Sequence, residues 1–136
     1  MALSVHHIGI AVDDLDAAIE RYTLLFGAAL EHRETVLEQG VEAASLRVGS
    51  SRVELLAPLG PDTPVGKFLG KRGPGMHHVA FEVADLGAEL ARLRVEGARL
   101  IDETPRRGLF GLQVAFVHPE ATGGVLAELV CDDRHQ

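Results

Sequence analysis

The chain has 136 residues, a net charge of −7, 46% hydrophobic residues and a single cysteine, Cys131. An acidic chain repels phosphate backbones, which argues against a nucleic acid partner. One cysteine excludes an intrachain disulfide and fits a reducing cytoplasm. The sequence contains no apolar segment of membrane-spanning length and no signal peptide pattern at its start, so neither a membrane nor secretion is expected.

The first half of the chain predicts a strand, a helix and three further strands. Apolar residues alternate along VHHIGIAV, which is typical of a strand. Asp13 or Asp14 is placed to cap the following helix, whose apolar stripe ends at Gly27. Three shorter strands are predicted at roughly 29–37, 41–48 and 51–58. Thr63 followed by Pro64 then predicts a linker helix over about 63–71.

The second half predicts the same order of elements. HHVAFEV indicates a strand, Asp85 is placed as a helix cap, and Gly97 is placed to end that helix. The remaining strands are predicted at roughly 98–102, 112–118 and 124–131. The chain therefore predicts β-α-β-β-β twice, as one duplicated unit of about 70 residues.

The duplication extends to residues that can bind metal. HHIGIAVDDLDAAI begins at His6 and HHVAFEVADLGAEL begins at His77, while Glu54 in RVELLAP is matched by Glu128 in LAELVCD. The first and last strands of such a unit can be neighbours in a sheet, which brings its histidine and glutamate together. Taken singly, a strand histidine or glutamate is more often a packed or exposed residue. Their repetition at matching positions favours ligands.

Only one histidine of each pair can face a shared site, because adjacent strand residues point to opposite sides. His7 and His78 share their faces with small residues, whereas His6 and His77 are expected to pack, to meet solvent or to orient a substrate. The predicted metal ligands are therefore His7, Glu54, His78 and Glu128. Two imidazoles and two carboxylates suit Mn, Co, Fe or Ni better than a closed structural zinc site, and they leave two positions open.

These features resemble the vicinal oxygen chelate superfamily and, within it, the methylmalonyl-CoA epimerase family. The resemblance is carried by HHIGIAVDDLDAAI, EQGVEAASL, VELLAPLGPDTPVGKFLGKRGPGMHHVAF, GARLIDETPRRG and VAFVHPEATGGVLAELV. It implies an α+β fold in which two paired β-α-β-β-β modules form a cupped, eight-stranded incomplete barrel. It also implies one domain over residues 1–136, with modules at about 4–58 and 75–132, and a homodimer.

The resemblance implies a divalent metal on the same four positions, cobalt first, with Mn, Zn, Ni or Fe as alternatives. It implies that (R)- and (S)-methylmalonyl-CoA are interconverted by removal and return of the C2 proton through an enolate. Inversion needs one acid–base group on each face of the carbon. Glu128 is the expected group on one face.

The group on the other face is left open by the sequence. The family has a glutamate where this chain has Ala43, and the nearest carboxylate is Glu42. A bulge or a one-residue slip would bring Glu42 to the required face. Otherwise a water or another polar group must act there. Glu128 and Glu42 are thus the predicted catalytic residues.

Basic residues near predicted loops are the candidates for binding the CoA moiety: Lys67, Lys71, Arg72, Arg106 and Arg107. The segment GLFG, residues 108–111, could close over a substrate as a lid. Two alternatives remain: another metalloenzyme of the superfamily, such as a glyoxalase-like lyase or a dioxygenase, and a non-catalytic small-molecule-binding protein. The fourth ligand candidate, Glu54, argues against a dioxygenase. An aromatic content of 4% argues against a binding groove.

Overall fold

The computed structural model describes residues 1–133, and the chain divides into two units. The first unit is His7–His77, and the second is Met1–His6 together with the chain from His78 onward. In chain order the elements are β1 (Ser4–Ala11), α1 (Leu15–Phe26), β2 (Ala29–Val36), β3 (Val41–Val48), β4 (Ser51–Pro58), α2 (Pro64–Arg72), β5 (Gly75–Glu82), α3 (Leu86–Val95), β6 (Arg106–Arg107), β7 (Gln113–Val117), α4 (Pro119–Thr122) and β8 (Ala127–Cys131). None of the helices within residues 1–133 is long and apolar enough to cross a bilayer.

In the first unit the strands are ordered β2-β3-β4-β1, and β4 runs parallel to β1. Its helix α1 packs on one face of this sheet, which we call the helix face. The apolar residues of that layer are Val12, Leu15, Ala18, Ala28, Ala44, Leu46, Leu55 and Ala57. Because side chains alternate along strands, Ala43, Ser45 and Glu54 lie on the opposite face, together with His7. We call this the His7 face.

The second unit repeats this arrangement. Its strands are ordered β5-β8-β7-β6, and β8 runs parallel to β5. Helix α3 packs on one side through a second apolar cluster: Val83, Leu86, Leu90, Ala115, Val117, Ala127 and Leu129. The adjacency of the first and last strands within each module, predicted from the sequence, is therefore present twice.

The helix boundaries follow the predicted caps. Asp14, rather than Asp13, accepts a hydrogen bond from the Ala17 N–H at 3.0 Å, and Gly27 ends α1 in the left-handed region. Asp85 caps α3 in the same way through the Ala88 N–H at 3.0 Å. Local sequence therefore decides where both helices begin.

The strand predicted at 98–102 is not formed, and this prediction was wrong. Only Leu100 makes an isolated bridge, with Val117. The N–H groups of Ile101 and Asp102 both donate to the Phe116 carbonyl, and the Asp102 carboxylate accepts the Phe116 N–H at 2.9 Å. The Asp102 side chain thus takes the Phe116 N–H that a backbone carbonyl of a neighbouring strand would otherwise accept. The strand that pairs with β7 is Arg106–Arg107 instead. Within HPEATGG, the segment before the last strand, Pro119 begins the short helix α4.

Glu31 offers a test of surface electrostatics in the first unit. It lies at a register shift between Leu30 and His32, and it accepts hydrogen bonds from Arg47 at 2.8 Å and Arg52 at 3.0 Å. Burial raises the pKa of the Glu31 carboxyl, but these hydrogen bonds outweigh burial and leave the pKa below its ordinary value.

We therefore expect Glu31→Gln to lower the free energy of unfolding by less than about 1 kcal/mol at pH 7. A lowered pKa in the folded state stabilises the fold above the unfolded pKa, and this stabilisation is lost as the pH falls through the folded value. The difference between the proteins should therefore start to shrink near the unfolded pKa, about 4.3, and be smaller at pH 3 than at pH 7. Urea unfolding at pH 7 and pH 3 measures both values, and equal differences at the two pH values would contradict the expectation.

Candidate functional site

The first unit contains a buried histidine–glutamate pair. Gly9 of β1 is the register partner of Glu54 in β4, so His7, two residues before Gly9, lies on the same face as Glu54. The His7 Nδ1 and Glu54 Oε2 atoms are 3.2 Å apart, and their side chains are 2% and 4% exposed. Gly9 has no side chain, which leaves room for the two groups to approach each other.

The second unit contains the equivalent pair. Ala80 of β5 is the register partner of Glu128 in β8, and His78 lies two residues before Ala80. The His78 Nε2 and Glu128 Oε1 atoms are 3.1 Å apart, and both residues are buried. The His78 ring also packs edge-to-face on Phe116, with ring centroids 5.8 Å apart. The same pair thus arises twice from the same strand arrangement.

The donor atoms of these pairs suit a divalent cation. Each pair offers an imidazole nitrogen and carboxylate oxygens, the ligands that borderline divalent metals prefer. Burying a charged carboxylate without a partner costs free energy. A bound cation offsets that cost because it compensates the negative charge. His7, Glu54, His78 and Glu128 are all buried and all of a type that binds such metals.

The neighbouring histidines have other partners. His6 is buried in the second unit, where its Nε2 lies 2.7 Å from Oδ2 of Asp132. His77 packs edge-to-face on Phe68 at 5.0 Å between ring centroids. Of the roles that the sequence left open for His6 and His77, these contacts indicate packing. Sequence reasoning did not find Asp132, although a carboxylate directly after the apolar strand β8 is a recognisable signal.

A sequence profile of the glyoxalase/bleomycin resistance protein/dioxygenase superfamily matches residues 6–116. The chain belongs to this superfamily. The human mitochondrial methylmalonyl-CoA epimerase is 37% identical over 92% of this chain and 72% of its own. The crystal structure of methylmalonyl-CoA epimerase from Mycobacterium tuberculosis superimposes with a TM-score of 0.92 and 43% identity, covering 98% of this chain and 91% of that one.

A methylmalonyl-CoA epimerase in complex with methylmalonyl-CoA and ammonium matches equally closely, with a TM-score of 0.93 and 42% identity. This match covers 98% of this chain and 96% of that one. The predicted fold class of paired β-α-β-β-β modules is confirmed by these superpositions. The resemblance to the superfamily, first seen in short sequence motifs, therefore extends over nearly the whole chain.

Glu42 does not share the face of Glu54 in this member of the superfamily. The pairing of β3 with β4 continues in register from Val41 to Val48, so no bulge or slip turns Glu42 around. Glu42 lies on the helix face, where its Oε2 accepts hydrogen bonds from Arg33 at 3.1 and 3.2 Å. Arg33 also donates to Asp16 of α1 at 2.6 Å. The structure thus contradicts the bulge on which the catalytic prediction for Glu42 depended.

The predicted CoA-binding residues are exposed, and they lie in the linker helix α2 and in the short strand β6. Lys67, Lys71 and Arg72 belong to α2, and Arg72 lies over the Phe68 ring at 5.8 Å. Arg106 and Arg107 form β6, where Arg106 bonds Asp102 at 3.1 Å and lies 5.4 Å from the Phe116 centroid. These side chains can attract a polyanion, and their role stays a prediction.

Phe110 and Cys131 are two further residues with an unusual local environment. Phe110, within the predicted lid, has φ = 60°, which is uncommon for a residue other than glycine and marks local backbone strain. Burial and the nearby Asp133 raise the pKa of the Cys131 thiol. A raised pKa keeps sulfur protonated near neutral pH, which argues against Cys131 as a nucleophile.

Proposed function

We propose that this protein is a metal-dependent epimerase that interconverts (R)- and (S)-methylmalonyl-CoA. The observation that carries the proposal is the buried histidine–glutamate pair, which is repeated in both units. Relatives of the chain are named methylmalonyl-CoA epimerase. The chemistry is consistent, because the C2 proton of this substrate lies between a thioester and a carboxylate and is acidic. The chain needs to provide charge stabilisation and proton transfer on both faces of one carbon.

The metal is proposed to bind His7, Glu54, His78 and Glu128 together. When bound, a divalent ion supplies Lewis-acid stabilisation of the negative charge that develops on the thioester oxygen. Two carboxylates neutralise the charge of such an ion, which favours its retention. Cobalt is the proposed metal, with Mn, Zn, Ni and Fe as alternatives that share this ligand preference.

The chain's own groups hold the substrate and move its proton. Glu128 is proposed to accept the C2 proton of one epimer and to return a proton to that face in the reverse direction. Lys67, Lys71, Arg72, Arg106 and Arg107 are proposed to attract the phosphates of the CoA moiety. The homodimer, the cytoplasmic location and the single domain over residues 1–136 stay predictions.

Deuterium exchange at C2 tests the proposal. The cobalt-loaded protein is incubated with one epimer of methylmalonyl-CoA in deuterated water, and the product is followed by NMR and chiral analysis. We expect deuterium at C2 together with racemisation, because enolate formation removes the original proton. A cobalt-loaded protein that neither exchanges the C2 proton nor racemises the substrate would refute the proposed function and favour a different reaction or simple ligand binding.

A further inference from the structure

The His7 face of the first unit contains another carboxylate besides Glu54. Glu34 of β2 is the register partner of Ala43, and Ala43 in turn is the partner of Leu56 in β4. Register partners share a face, so Glu34 lies on the His7 face, opposite to α1. Unlike most of β2, Glu34 is half-buried.

We infer that Glu34 is the second acid–base residue of the epimerisation, the counterpart of Glu128 in proton transfer; this inference rests on the proposed function. Inverting a carbon through an enolate needs a proton acceptor on one face and a proton donor on the other. The carboxylate nearest in sequence, Glu42, lies on the helix face and is bonded to Arg33. Glu34 is a carboxylate on the face that holds His7 and Glu54.

The residue that separates Glu34 from β4 is small. Ala43, the adjacent residue on β3, is fully buried and has only a methyl group. Two strand spacings of about 4.8 Å separate β2 from β4. Directly across these two spacings Glu34 faces Leu56, and Glu54 lies two residues away along β4, roughly 7 Å further along the strand. The Glu34 side chain and a three-carbon malonyl group held at Glu54 can bridge this distance between them.

His32 is the competing residue on the same strand, because it also lies on the His7 face. Its partner on β3 is Ser45, which lies between His32 and Glu54 and is larger than the Ala43 beside Glu34. His32 is exposed, whereas Glu34 is half-buried. Both observations favour Glu34.

The proton transfers balance in each direction. The Glu34 carboxylate takes the C2 proton of one epimer, and the electron pair of that C–H bond moves into the thioester carbonyl to form the enolate. The protonated group on the opposite face then gives its proton to C2, which restores the carbonyl and inverts the centre. Starting from the other epimer, the two groups exchange roles.

The test uses the asymmetry of a two-base reaction. In Glu34→Gln, epimerisation should fall by at least about a hundredfold in both directions. Deuterium exchange from the epimer whose proton faces Glu34 should fall by the same factor. Exchange from the other epimer should stay within about threefold of the parent rate and proceed with retention, because Glu128 still acts on it. Cobalt affinity should not change, and Glu34→Asp should restore part of the lost exchange.

Glu38→Gln is the matched control, since Glu38 is an exposed glutamate in the short turn after β2. Equal exchange from both epimers in Glu34→Gln, whether retained or lost, would overturn the inference. The same asymmetry in His32→Ala but not in Glu34→Gln would transfer the role to His32. If the unmodified protein exchanges neither epimer, the proposed function itself fails, and this outcome is distinguishable from failure of Glu34 alone.

Discussion

Replacing His7 with alanine is expected to lower C2 deuterium exchange by roughly a hundredfold or more and to weaken cobalt binding measurably. A metal contributes several kcal/mol of charge stabilisation to such a step, and about 2.7 kcal/mol corresponds to a hundredfold in rate. His7 is 2% exposed and its Nδ1 lies 3.2 Å from Glu54, so its loss removes one ligand and leaves the Glu54 carboxylate buried without its imidazole neighbour. Cobalt absorption titration and exchange by NMR measure the two effects separately.

The control for this variant is His118→Ala, because His118 is also an imidazole but caps α4 through the Glu120 N–H at 3.0 Å. That change should leave cobalt affinity unaltered. His78→Ala should reproduce the behaviour of His7→Ala, since the second pair is equivalent to the first. Unchanged cobalt affinity in both His7→Ala and His78→Ala would show that the pairs are not metal ligands.

The two histidine–glutamate pairs could be predicted from sequence because they depend on local regularities, and their role as metal ligands stays a prediction. The β-α-β-β-β order allowed the first and last strands to be neighbours, and the structure shows that they pair in parallel. The period of two then places His7 beside Glu54 and His78 beside Glu128. Gly9 and Ala80 mark the open position next to each glutamate. The duplication of the pair was the decisive evidence for ligands, since either pair alone would have been interpreted as ordinary packed residues.

The side-chain positions that the sequence left undecided depend on cross-strand register. Glu34 is assigned to the His7 face by its pairing with Ala43, and Glu42 is fixed on the helix face by the uninterrupted pairing of β3 with β4. Neither pairing is encoded by the local pattern of apolar residues. The strand predicted at 98–102 does not form because the Asp102 carboxylate competes for the Phe116 N–H. The local pattern of apolar residues does not encode this contact either.

A buried pair outside the proposed ligands offers the second large effect. His6 Nε2 and Asp132 Oδ2 are 2.7 Å apart, with side-chain exposures of 2% and 0%. Removing one partner of a buried pair typically costs about 3–5 kcal/mol, because the other is left without compensation in a medium that solvates it poorly. We therefore expect Asp132→Ala to lower the free energy of unfolding by about that amount, measured by urea denaturation. Asp132→Asn should cost less, since its amide oxygen can still accept a hydrogen bond.

A double-mutant cycle separates the pair from general loss of packing. If the contact dominates, His6→Ala combined with Asp132→Ala should destabilise by clearly less than the sum of the single changes. Leucine at both positions should recover most of the loss, because an apolar pair of similar volume avoids burying uncompensated polar groups. Additive effects, or a cost below about 1 kcal/mol for Asp132→Ala, would contradict the pairing. Because His6 directly precedes His7 in β1, the same variants would show through cobalt affinity whether this pair also holds the neighbouring imidazole in place.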